Sequence, residues 1–94
     1  MNKLAESIKA YRESKGFETS WENMPMKLML VVTEASEAME AWRKGDHANF
    51  NEEIADVIIR CLDITASLGI DIEQEIKNKM ERNQNRPFRH GKVA

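Results

Sequence analysis

Cysteine occurs once in these 94 residues, proline and histidine twice each, and glycine four times. A single thiol, Cys61, excludes an internal disulfide, and its neighbours Ile58, Leu62 and Thr65 make it a buried small hydrophobe. So few helix breakers leave room for long uninterrupted helices. Neither histidine, His47 nor His90, stands in an acidic helical motif, so the Glu-x-x-His pairs of carboxylate-bridged di-iron bundles are missing. No apolar run approaches the roughly 20 residues that a membrane span requires, and the first residues lack the apolar stretch of a signal peptide. The expected location is the cytoplasm. Strand-like alternation, internal repeats and low-complexity tracts are absent as well, which leaves an all-α fold with short connections.

What is present is ordinary for a small folded protein: 41% hydrophobic and 32% charged residues with a net charge of −2. Such a length fits one domain, residues 1–94, whose three or four helices cannot cover all their apolar surface within one chain. The bundle is therefore expected to be completed by homo-oligomerisation. The charge is unevenly placed, with eleven acids against three bases in residues 33–75 and six Lys/Arg against one acid in residues 77–94. An acidic middle argues against wrapping a nucleic acid polymer, while the basic end suits a small polyanion.

Leu4, Ile8 and Tyr11 recur at helical spacing, predicting a helix over residues 3–15 that Gly16 stops. Asn23 is placed to cap a second helix with Pro25 in its first turn. Its apolar face runs through Leu28, Val31, Val32, Ala35, Met39 and Trp42 up to Gly45. After a turn over residues 45–48, Phe50, Ile54, Val57, Ile58, Cys61, Thr65 and Leu68 describe a third helix ending at Gly69. Asp71 opens a fourth, with Gln74 as its capping-box partner and Ile72 and Ile76 facing inward, which fades near Asn83. Residues 84–94 read as a basic tail.

Two acidic half-motifs interrupt the apolar helices: Glu34-x-x-Glu37 on the second and Glu53-x-x-Asp56 on the third. Carboxylates beside a core are costly unless positive charge compensates them. Residues i and i+3 share a helix face, and a short turn makes the two helices antiparallel neighbours, so four carboxylates can converge on one point. An all-oxygen site of this kind suits hard cations, Mg²⁺ first and Mn²⁺ second. Asp63, two turns beyond Asp56, either extends the acidic line with Arg60 partly neutralising it or joins a surface salt bridge.

The run from Lys27 to Ala38, followed by Glu52-Glu53-Ile54-Ala55-Asp56-Val57-Ile58-Ile59-Arg60, resembles the MazG-like, all-α nucleoside triphosphate pyrophosphohydrolases over about residues 25–92. That family is marked by an ExxE helix and an ExxD helix joined by a short linker. Lys79-Met80-Glu81-Arg82-Asn83-Gln84-Asn85-Arg86-Pro87 and the following His90-Gly91-Lys92 look like the C-terminal Lys-x-x-x-Asn-x-x-Arg-Pro segment of its small members. The resemblance implies that Glu34, Glu37, Glu53 and Asp56 hold Mg²⁺ at the catalytic centre, and that Lys79, Asn83 and Arg86 contact the triphosphate. One departure is Thr33, where many relatives carry an additional Glu.

The implied reaction is hydrolysis of a nucleoside triphosphate to the monophosphate and pyrophosphate, for pool control or house-cleaning, by a dimer or tetramer. Trp21, in the connector before the acidic helices, is the preferred stacking surface for the base over Phe17 and Trp42. The alternative from another class is a non-catalytic helical dimer acting as a regulatory or interaction module.

Overall fold

The computed structural model describes residues 1–86, which form four helices and no strand: α1 (Asn2–Ser14), α2 (Met24–Lys44), α3 (His47–Ser67) and α4 (Ile72–Gln84). The all-α fold is as expected. Among the described residues no helix is long and apolar enough to cross a membrane. Of the basic tail only its first residues are described; Arg89, His90 and Lys92 lie outside the described residues.

The ends of α2 and α3 follow from local chemistry. Gly45 adopts a left-handed φ of 68°, which lets the amides of Gly45 and Asp46 return to the carbonyls of Trp42 and Ala41 and close α2. Asp46 then caps α3 by accepting a hydrogen bond from the Asn49 amide at 3.1 Å. That cap starts α3 at His47, earlier than the 45–48 turn predicted from glycine alone. Asp71 caps α4 through the Gln74 amide, but the Gln74 side chain bonds Asn78 instead of completing a capping box. Asn23 likewise precedes α2 without capping it; its side chain accepts from the Ser20 amide and donates to the Glu18 carbonyl, bracing the connector.

With so short a turn, α3 folds back along α2, and α1 packs on the second half of α3. The α1–α3 core is Ala5, Leu62 and Ala66, with Ile8 and Ile72 packed against it. On α2 the buried positions are Met24, Ala38 and Ala41. Small residues at the α2–α3 contact let the backbones approach, but they bury little area, and among the described residues no large side chain is fully enclosed. The radius of gyration, 15.5 Å, exceeds the about 12 Å of a compact chain this long.

The apolar faces predicted for α2 and α3 are for the most part turned outward. Leu28, Val32, Met39 and Trp42 on α2 and Ile54 and Ile58 on α3 are exposed, and an apolar groove of about 430 Å³ lies between Met39 and Trp42 on one side and Ile54 and Val57 on the other. Cys61, expected to be buried, is exposed, because it belongs to this outward face of α3. Ile76 is also exposed, whereas Ile72 at the start of α4 reaches the core. Asn2 ties the two N-terminal ends of α1 and α4 together, donating to Asp71 at 2.9 Å through Nδ2 and to Glu73 at 3.1 Å through its amide.

Candidate metal centre

The antiparallel pairing of α2 and α3 brings the two acidic half-motifs to the same level. Glu34, Glu37 and Glu53 each offer a carboxylate oxygen, and these oxygens lie within 4.8 Å of one another. Asp56 joins through a side-chain hydrogen bond with Glu34. Glu34, Glu53 and Asp56 are half-buried between the helices, while Glu37 faces the opening. Packing Ala38 and Ala41 inward is what turns these acids toward α3 and leaves the bulkier apolar residues outside.

Their electrostatics are those of a crowded anionic site. Burial comes first among the causes that raise Glu34 above the ordinary carboxylate range. A hydrogen bond with Asp56 and repulsion from Asp56 and Glu37 add to it, and Arg60 pulls the other way. Glu53 is pushed up to about 7, foremost by its hydrogen bond with Glu37, then by desolvation and by repulsion from Glu37, Asp56 and Glu34. Glu53 Oε2 is buried with no hydrogen-bond partner in the protein. An orphaned carboxylate oxygen inside a group of like charges is the donor set a hard divalent cation satisfies.

The raised pKa of Glu53 makes a pH prediction. Between pH 4.5 and about 7 the folded protein holds a proton on Glu53 that the unfolded chain has released. Metal-free protein should therefore lose stability as pH rises through this window. Asp71 and Glu73 are shifted the opposite way, below their ordinary values, so their contribution changes at lower pH. In chelator the melting temperature should fall across the window, and Glu53→Gln should flatten the slope. A wild-type melting temperature that rises over the same range would remove the proton from Glu53 in this window.

The remaining predicted residues are dispersed. Arg60, half-buried, is close enough to act on Glu34. Asp63 does not extend the acidic line. Two turns beyond Asp56 on the same side of α3 and only 8% exposed, it pairs instead with Arg12 of α1 at 3.1 Å, so the surface salt-bridge alternative is corrected as well: the pair is largely buried. Trp21 is 73% exposed in the connector. Lys79 and Asn83 stand on α4, which packs on the rest of the chain mainly near its start, and Arg86 follows its end.

One neighbour of the site escaped the sequence reading. Glu37 and Glu53 open onto a cleft of about 180 Å³ that Glu40, Lys44 and Asn49 also line. Lys44 lies seven residues after Glu37, a spacing that returns to the same helix face and contains the signal that was missed.

This order of two carboxylate-bearing helices across a tight turn has a counterpart among known proteins. The model of the MazG-like family matches residues 25–93, most of the chain, and takes in both acidic helices and α4. The chain belongs to the MazG-like family. No curated protein and no solved structure matches it.

Proposed function

We propose that this chain is a Mg²⁺-dependent nucleoside triphosphate pyrophosphohydrolase, with Mn²⁺ as the alternative cation, and that it works as a homo-oligomer in the cytoplasm. The observation that carries the reading is the acidic cluster itself. Three carboxylates within 4.8 Å, one with an orphaned buried oxygen, form a site built at a cost to the metal-free fold. Membership of the MazG-like family supports the same chemistry.

Glu34, Glu37, Glu53 and Asp56 would hold the cation. When bound, it supplies charge neutralisation for phosphate oxygens and a more acidic water. The rest falls to the chain's own groups. A carboxylate among Glu34, Glu37 and Glu53 is placed to accept a proton from an attacking water. Lys44, at the mouth of the cleft, and Lys79, Asn83 and Arg86, on and just after α4, are cationic or amide groups suited to a departing pyrophosphate. Arg60 beside Glu34 limits the repulsion among the acids, and Trp21 offers a π-face for the base.

The outward apolar faces of α2 and α3 support a self-associated working form, as the patch from Leu28 to Trp42 and Ile54 to Ile58 is what a second bundle half would cover. The deciding experiment resolves products from a panel of canonical and modified deoxynucleoside triphosphates, with Mg²⁺ and then with chelator. Monophosphate plus pyrophosphate, lost in chelator, is the expected result. Release of orthophosphate would move the chain to another cleavage position, and no turnover across the panel would sink the enzymatic reading.

A further inference from the structure

One buried charged group has no part in the metal centre. Asp63 accepts hydrogen bonds from Arg12 Nε at 3.1 Å, from the Thr19 hydroxyl and from the Ser67 hydroxyl at 3.3 Å. Arg12 completes the set by donating through Nη1 to the Phe17 carbonyl at 2.9 Å and through Nη2 to Ser67 Oγ at 2.6 Å. Three separate stretches of chain, the end of α1, the connector and α3, thus meet at one carboxylate.

The connector is fixed entirely by polar anchors. Arg12 holds the Phe17 carbonyl, Asn23 holds the Glu18 carbonyl and the Ser20 amide, and Asp63 holds Thr19, itself only 7% exposed. Its aromatics contribute nothing to that anchoring, because Phe17 and Trp21 are 68% and 73% exposed. Helix connectors ordinarily gain stability by burying such rings. Here the backbone is anchored and the rings are exposed.

The frame also has a defined distance from the metal centre. Thr19 is bonded at the level of Asp63, seven residues along α3 from Asp56, which is about 10 Å at the rise of about 1.5 Å per residue. Along α3 the frame therefore stands two turns from the acidic cluster.

We infer that Asp63, Arg12 and Thr19 form a clamp that positions the connector so that Trp21 meets the base of a nucleotide whose phosphates lie at the acidic cluster. The clamp rests on the triphosphate reading above. Asp63 and Thr19 are positioning residues and touch no substrate; their effect passes through Trp21. Loosening the connector costs affinity for the base and leaves the chemical step alone, so it raises KM without lowering kcat.

The test measures kcat and KM for each of the four canonical deoxynucleoside triphosphates with Mg²⁺, in wild type, Thr19→Val, Thr19→Ser, Trp21→Ala and the Thr19→Val/Trp21→Ala double variant. Thr19→Val keeps the shape and removes the hydroxyl that reaches Asp63. We expect a KM raised about tenfold with kcat within about twofold, restoration by Thr19→Ser, and no further rise when Thr19→Val is added to Trp21→Ala. Trp21 is exposed, so its variant folds whatever becomes of Thr19→Val, and an unchanged KM in Trp21→Ala overturns the clamp. Independent, additive effects of the two substitutions overturn it too. In either case wild-type turnover leaves the functional reading standing, whereas no turnover by wild type on any of the four removes both.

Discussion

Asp56→Ala is expected to lower Mg²⁺-dependent turnover by at least about a thousandfold, a loss of about 4 kcal/mol in transition-state stabilisation, with the helical content unchanged. The physical ground is that Asp56 is bonded to Glu34, and Glu34, Glu37 and Glu53 present their oxygens to one point. Removing one member both subtracts a donor and frees its neighbour to turn away. Glu37→Ala should act in the same direction, since Glu37 offers one of the converging oxygens. Without metal, both variants should be as stable as wild type or more so, because one of four repelling carboxylates has gone. Turnover within tenfold of wild type in both would sink the metal-holding role of these acids. A parallel fall in stability and activity would assign the loss to folding instead.

Met39→Lys is expected to convert the proposed homo-oligomer to monomer, seen as a drop in sedimentation coefficient and a melting temperature that no longer depends on protein concentration. Met39 is 51% exposed and lines the apolar groove between α2 and α3 with Trp42, Ile54 and Val57. If a second copy covers that groove, symmetry places the substitution twice in the interface. Each lost side chain forfeits about 1.5–3 kcal/mol of burial, and each ammonium adds a desolvation cost. Lys substituted at Tyr11, 66% exposed on α1 and away from this face, serves as the control and should leave the assembly intact. An unaltered sedimentation profile for Met39→Lys would place self-association on another surface.

Much of this fold was legible in the chain because its punctuation is local. Gly45 with positive φ, Asp71 as a cap, and periodic apolar residues act within one or two turns. The acidic half-motifs were equally legible, since i,i+3 spacing on neighbouring antiparallel helices fixes their convergence. The direction of the apolar faces was not. Periodicity identifies a face but not what covers it, and here Leu28, Val32, Met39, Ile54, Ile58 and Cys61 were read as core while the chain itself packs through Ala38, Ala41, Leu62 and Ala66. The fate of Asp63 was hidden for a related reason. Its partners Arg12 and Thr19 lie 51 and 44 residues away, and no helical period relates them.

The sequence by itself determined four helices, some of their ends and the approach of the acidic half-motifs on two of them, because caps, glycines and i,i+3 spacing act through neighbouring residues whose geometry is set by the backbone. Only the tertiary structure decided which side of each helix is spent inside the chain, that Lys44 shares the cleft of the acids, and that Asp63 braces the connector instead of extending the metal site. Those outcomes depend on how small residues let helices approach and on long-range contacts, and both are settled when the helices pack.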